Sequence, residues 1–208
     1  MSVIDALNWR YAVKKFSGNT LKKQQINGLI ESVRLAPSAY GIQPYQLIVV
    51  SDPDVKKACL PHSYGQDKVS NCSQLLVLAH KKHITKDDIS SYIESVSKEQ
   101  NKPVNTLSDY QKQIEADLLT LAPEQQSNWA QQQCYIALGT LLTHAAVSKI
   151  DACPMTGFDV DGINNALGLN DIGLSAAVLC PVGIRSKHDH AANRPKTRLS
   201  YHDLVVSL

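Results

Sequence analysis

Three short runs of apolar, mostly branched residues constrain this chain more than anything else in it. They are Gln46-Leu47-Ile48-Val49-Val50, Leu75-Leu76-Val77-Leu78 and Leu174 to Val182. Each has the length of a strand, and none alternates polar with apolar residues. Each is therefore expected to lie in a sheet covered by helices and to be buried on both faces. None approaches the roughly 20 apolar residues that a membrane span requires.

Helical spacing fills the intervals. Ile4, Ala6 and Leu7 predict a short helix leading to Arg10. Ile26, Leu29, Ile30 and Val33 predict a second helix over about Leu21–Leu35, stopped because Pro37 disfavours helical geometry in the residue before it. Thr85-Lys86-Asp87-Asp88 supplies a cap and an acidic first turn for a helix carrying Ile89, Tyr92, Ile93 and Val96. The strongest helix is expected over Gln131–Ile150, with Cys134, Leu138, Leu141, Leu142 and Ala145 along one stripe. Gly139, Ala145 and Ala146 are small enough on it to let another helix approach. Residues 100–128 are polar and weakly periodic and are expected to form a peripheral helical lid. With no repeats and no linker composition, the whole of 1–208 reads as one α+β domain.

Composition excludes several classes. A net charge of +2 is too small to make nucleic acid or an anionic membrane the main partner. The first residues show no uninterrupted apolar h-region, so a cytoplasmic protein is expected. The five cysteines, Cys59, Cys72, Cys134, Cys153 and Cys180, form no CxxC pair and suggest buried thiols. His188, His190 and His202 lack metal-ligand spacing, and no metal is expected. His144, on the apolar helix, reads as a packed or interface residue.

Four segments carry more chemistry than scaffold needs. Arg10-Tyr11-Ala12-Val13-Lys14 places two cations four residues apart. Pro37 to Pro44 is a loop of small groups and free amides before a buried strand. Pro154-Met155-Thr156-Gly157-Phe158-Asp159 is a turn before a short helix capped by Asp159. Arg194-Pro195-Lys196-Thr197-Arg198 adds cations near the C-terminus. Basic pairs are usually solvated surface and Pro/Gly turns usually only connect elements. Taken together, however, two basic clusters could meet on one phosphate and two glycine loops could approach a flat ring. Neither a GxGxxG nor a GxxxxGK[ST] motif is present, which disfavours Rossmann and P-loop modes.

In order and spacing, RYAVKKF at 10–16, APSAYGIQPYQLIVV at 36–50, WAQQQCYIALGTLL at 129–142, PMTGFD at 154–159, PVG at 181–183 and RPKTRL at 194–199 resemble the nitroreductase family, near its oxygen-insensitive nitroreductase and dihydropteridine-reductase subgroup. The resemblance implies a nitroreductase-like α+β fold: a central mixed, mainly antiparallel sheet flanked by helices, in an intertwined homodimer. It implies FMN bound at the dimer interface and NAD(P)H as co-substrate. Hydride would pass by a ping-pong route to a small-molecule electron acceptor: nitroaromatic, quinone or similar electrophile.

The resemblance also implies roles. Arg10, Lys196 and Arg198 match the clamp on the ribityl phosphate. Lys14 matches the lysine at the flavin N1/O2 edge, where a cation favours the anionic reduced ring, and is the catalytic candidate. Tyr11 and Ala12 replace smaller polar residues, so only their backbone contacts carry over. Pro37, Ser38 and Ala39 match the loop given by the other subunit, and Gln133 the long helix's contact. Pro154, Met155, Thr156 and Gly157 match the loop near N5, with Thr156 where relatives commonly carry Glu. Gly41 and Gly65 stand where many relatives have Asn, which shifts the second contact to Gln66. The rivals are another chemistry on the same fold, dehalogenase-like or flavin-cleaving, and a flavin-binding protein without turnover.

Overall fold

A computed structural model describes residues 2–208. In chain order its elements are α1 (Val3–Trp9), α2 (Lys23–Arg34), β1 (Tyr45–Val50), α3 (Pro53–Cys59), α4 (Lys68–Asn71), β2 (Gln74–Lys81), α5 (Lys86–Gln100), α6 (Ser108–Leu118), α7 (Pro123–Val147), β3 (Asp151–Ala152), α8 (Val160–Ala166), β4 (Leu174–Gly183) and α9 (Tyr201–Leu204).

The caps explain several boundaries. The Ser2 hydroxyl accepts from the Asp5 amide while the Asp5 carboxylate accepts from the Ser2 amide, starting α1. Thr85 and Asp88 make the same reciprocal pair at α5, at the expected place. Asp159 flanks α8 without a side-chain cap bond, which departs from the expected role. α2 ends at Arg34, just short of the expected Leu35, with Leu29 and Val33 buried.

α7 begins at Pro123, not at Gln131. Proline suits a first helical position because its missing N–H would be unpaired there anyway. The apolar stripe misses these early turns because Gln126 occupies a buried position there. Gln126 accepts from the Ile84 amide at 3.1 Å and donates to the Leu118 carbonyl at 3.0 Å, so its polar head is satisfied inside the fold.

The sheet order is β1-β2-β4-β3, and every neighbouring pair of strands is antiparallel. The one parallel element among the described residues is an isolated bridge from Ala12 to Ala152. Successive residues of β2 point to opposite faces. Leu75 and Val77 join a core with Val13, Phe16, Met155, Ile163 and Leu179. Leu76 and Leu78 join the other, with Leu29, Val33, Cys134, Leu141 and Val178, beneath α2 and α7. Each fully buried leucine contributes about 1.5–3 kcal/mol relative to exposure.

β2 and β4 are buried except at Lys81 and Ser175, much as expected, but β1 is not. It is an edge strand and most of its residues are only half-buried. Ala145 and Ala146 are buried inside their own chain, Ala145 in the core with Leu29 and Val33 of α2, so they offer no face to a helix of a second copy. Only Gly139, with open space where a Cβ would sit, keeps the expected free face.

Residues 100–128 comprise a helical turn at Val104–Leu107, all of α6 and the start of α7. Ile114 and Leu118 of α6 pack with Ile84, Ile89 and Ile93 into a third small core. Five buried thiols are free, and burial pushes Cys59 and Cys72 up to about 11 and Cys134 up to about 12. Cys59, Cys72 and Cys134 are therefore inert packing groups at neutral pH.

Candidate functional site

α1 gives way at Arg10 to extended backbone, φ −70° and ψ 144°. The strand-like segment that follows is pinned by the Ala12–Ala152 bridge and by Phe16 pairing with Arg185. The C-terminal stretch 190–198 returns to the same place. Between them lies a cleft of about 410 Å³, lined by Arg10, Tyr11, Ala12 and Lys14 on one side and by Arg194, Lys196 and Arg198 on the other. No acidic residue lines it.

Among the described residues, Arg10, Lys14, Arg194 and Arg198 form no ion pair. Burial, and then the charge of Arg198, hold the Arg10 guanidinium below its usual range. Burial followed by Arg10 and Arg198 do the same to Lys196. Converged cations that weaken one another in this way form a site for an anion.

The three clamp residues are not equivalent. The Lys196 ammonium donates to the Leu7, Asn8 and Arg10 carbonyls, the last two at 3.0 and 2.7 Å. That uses all three of its donors and places a cation on the exposed C-terminal carbonyls of α1, where the helix dipole favours it. Lys196 therefore straps the C-terminal segment to α1 and adds charge to the cleft without a free donor. Arg198 spends one donor on the Thr197 carbonyl at 2.6 Å, and Arg10 spends none of its side-chain donors within the described residues. These two guanidiniums retain the forks that fit phosphate oxygens.

Two groups that the sequence did not signal brace the segments around the cleft without lining it. Asp189 accepts from the Lys14 amide at 2.9 Å, the Tyr11 hydroxyl at 3.1 Å and the Ala191 amide at 3.1 Å, joining both sides of the cleft. Its burial opposes ionisation, but these donors leave its pKa below the usual carboxylate range. Burial first, and then the Asp189 charge and bond, push Tyr11 up to about 12, so its hydroxyl stays a donor.

Beneath them, Asp151 accepts from the Arg185 amide and Nε, both at 2.7 Å. Nη2 lies 2.6 Å from the same carboxylate but off a hydrogen-bond direction, so Nε carries the side-chain bond. The guanidinium rests 4.2 Å from the Trp9 ring centre and 4.5 Å from that of Tyr11.

The 154–157 loop follows β3, which the Ala12–Ala152 bridge ties to the backbone of Ala12 in the cleft wall, and none of the loop's own residues lines the cleft. Met155 is buried and exchanges backbone bonds with Leu179 at 2.7 and 3.1 Å, whereas Thr156 and Gly157 are exposed. Gln66 donates to the Gly157 carbonyl at 3.2 Å, so the two expected contacts meet. Gly65 beside it has φ +65°, a conformation that glycine adopts freely and asparagine more readily than most residues.

Pro37, Ser38 and Ala39 form a separate group. The Ala39 amide donates to Gln133 Oε1 at 2.9 Å, and Gln133 donates to the Trp129 carbonyl at 3.1 Å. The Ser38 hydroxyl accepts from the Gln43 amide at 3.0 Å. No hydrogen bond among the described residues joins this loop to the cation cleft of the same chain. A larger cavity, about 780 Å³, is elsewhere, between α2, β1 and α5. Its mixed acidic and basic lining gives it no preference for an anion, so the smaller cationic cleft is the candidate.

A sequence profile of the nitroreductase family matches residues 7–184. A Staphylococcus haemolyticus protein, provisionally named an NAD(P)H nitroreductase, is 28% identical over 176 residues, covering 82% of this chain and 81% of that protein. A Bacillus subtilis crystal structure, provisionally a nitroreductase, superposes with a TM-score of 0.87 at 22% identity, covering 99% of this chain and 98% of that one. One from Exiguobacterium sibiricum, likewise provisional and solved with FMN, gives 0.87 at 17% identity, covering 100% and 98%.

Proposed function

The chain belongs to the nitroreductase family, and on that premise we propose that it is a homodimeric, FMN-dependent oxidoreductase. In this reading it carries hydride from NAD(P)H to nitroaromatic, quinone or similar electrophilic acceptors, in alternation at one site. The observation that carries the reading is the cleft, with no acidic residue in its lining, where Arg10 and Arg198 keep free guanidinium donors. A phosphate fits that donor set by charge and by geometry.

Bound FMN would supply the two-electron chemistry between nicotinamide and acceptor. The protein's own groups bind and orient. Arg10 and Arg198 hold the phosphate, and Lys196 fixes the segment that carries Arg198. Asp189 sets the backbone of Lys14, whose exposed side chain is free to bring a cation to the ring. Gln66 steadies the Gly157 carbonyl, leaving the neighbouring amides for the ring edge. The aligned Thr156 puts no carboxylate there.

Lys14→Met separates a ring contact from a phosphate contact. It deletes the cation and keeps much of the stem, so FMN should stay bound while its two-electron potential falls by about 30 mV, equivalent to about 1.4 kcal/mol. Redox titration of the loaded variant reads this. Loss of FMN at unchanged potential would make Lys14 a phosphate ligand instead.

A second copy of the chain is supported by unpartnered apolar surface. Val3 and Ile4 of α1 are 52% and 66% exposed, and Tyr135, Ile136 and Val147 of α7 are exposed around Gly139. Leu199, Tyr201, Leu204 and Val206 of the C-terminal arm touch little of their own chain, and β1 has a free edge. Surface of this kind is characteristic of an interface, and a two-fold partner would bring its 37–39 loop to the cleft. Light scattering at micromolar concentration should therefore give a dimer. A stable flavin-loaded monomer would contradict the shared site.

The function itself is tested by following NAD(P)H oxidation by the purified, FMN-loaded protein with a quinone. Sustained turnover is expected. Bound flavin with no turnover would leave a flavin-binding protein.

A further inference from the structure

Tyr40 adopts φ 59° and ψ −12°, a left-handed conformation that a bulky side chain holds only when its surroundings impose it. The surroundings are three polar contacts from two helices. The Tyr40 carbonyl accepts from the hydroxyls of Tyr92 on α5 and Tyr110 on α6. Its own hydroxyl donates to the Asp117 carboxylate on α6 at 2.5 Å. Its ring lies 6.4 Å from that of Tyr110 and 6.5 Å from that of Trp129. Immediately before it, the Ala39 amide is held by Gln133 of α7. Immediately after it, Gly41 has φ +82°, and a Cβ there would stand 2.8 Å from the Tyr92 hydroxyl. The loop carrying Pro37, Ser38 and Ala39 is thus gripped from α5–α6 on one side and from α7 on the other.

We propose that Tyr40 is a positioning residue, whose clasp to Asp117, Tyr92 and Tyr110 sets the geometry in which Pro37–Ala39 meets the flavin and so ties α6 to the binding site. The proposal rests on the flavin reading above. Phenylalanine at this position would keep the ring and the carbonyl and remove only the bond to Asp117. Asparagine at 117 would keep an oxygen that can accept the tyrosine hydroxyl, whereas alanine would not.

The test measures FMN Kd, thermal midpoint and amide hydrogen exchange over residues 38–43 for Tyr40→Phe, Asp117→Ala and Asp117→Asn. Exchange should quicken, and FMN Kd rise about three- to tenfold, in Tyr40→Phe and Asp117→Ala, the scale of one lost hydrogen bond. Asp117→Asn should restore both to near the wild-type values. A lowered midpoint with unchanged FMN Kd in the first two variants would make the clasp purely structural and overturn the proposal alone. Wild-type protein that never binds FMN would overturn the flavin reading and the proposal with it.

Discussion

Replacing Arg10 with alanine should lower the affinity for FMN by about one to two decades. Hydrogen bonds to charged groups are worth about 1.5–3 kcal/mol, and each 1.4 kcal/mol is about tenfold in Kd. Arg10 should lie toward the upper end because it is half-buried and, among the described residues, without a competing partner. Arg198 is more exposed and already donates to the Thr197 carbonyl. The sign in the flavin-free protein should be the reverse. Arg10 is weakened by burial and by Arg198, so its removal relieves repulsion and should leave apoprotein stability unchanged or slightly raised. Titration of apoprotein with FMN, beside thermal melts of the apo forms, reads both effects. Unchanged FMN affinity in a folded variant would remove Arg10 from the phosphate site.

Asp151→Ala should cost about 3–5 kcal/mol of stability, the scale for removing one partner of a buried ion pair. Asp151 is 5% exposed and receives both the backbone amide and Nε of Arg185. Its loss strands a guanidinium between the Trp9 and Tyr11 rings. The Arg185 side chain is 26% exposed, so solvent can recover part of the penalty and the lower half of the range is expected. This remains a large share of the about 5–15 kcal/mol that holds a typical domain folded. Because Tyr11 forms part of the cleft wall, flavin retention should weaken as well. Arg185→Met added to Asp151→Ala should restore much of the stability, since no unpaired charge is then left inside. Urea unfolding of the single and double variants decides. A single-variant loss below about 1 kcal/mol would show that the pair behaves as a surface contact.

The central strands were legible because burial on both faces leaves an uninterrupted apolar run, and β2 and β4 carry one. β1 carries one too, but this edge strand has the same apolar composition as the central strands, so its half-exposure could not be read. The two residues of β3 are too few to show any periodicity. The first turns of α7 escaped because Gln126 spends its buried carboxamide on backbone groups, which looks polar in sequence. α6 falls inside the segment expected to be helical, but its bounds were not legible, because its buried contribution is mainly Ile114 and Leu118 among charged neighbours.

The two cationic halves of the cleft are nearly the whole chain apart, so spacing could not join them and only their resemblance to family motifs did. Lys196 was legible as a cation, but not as one whose donors are already used by α1. Asp189 and the Asp151–Arg185 pair have no local signature, since their roles arise only when distant segments meet. Tyr40 was visible within the Pro37–Pro44 loop, yet its left-handed backbone depends on hydroxyls contributed from positions 92 and 110.

The most direct test of a flavin phosphate held by Arg10 and Arg198 is the identity of the flavin carried by the purified protein. Its absorbance spectrum should show bound flavin, either as purified or after incubation with FMN. Denaturation should release that flavin without cleavage of any covalent bond, and it should migrate as FMN. Release of FAD, or a colourless protein that takes up no FMN, would contradict it.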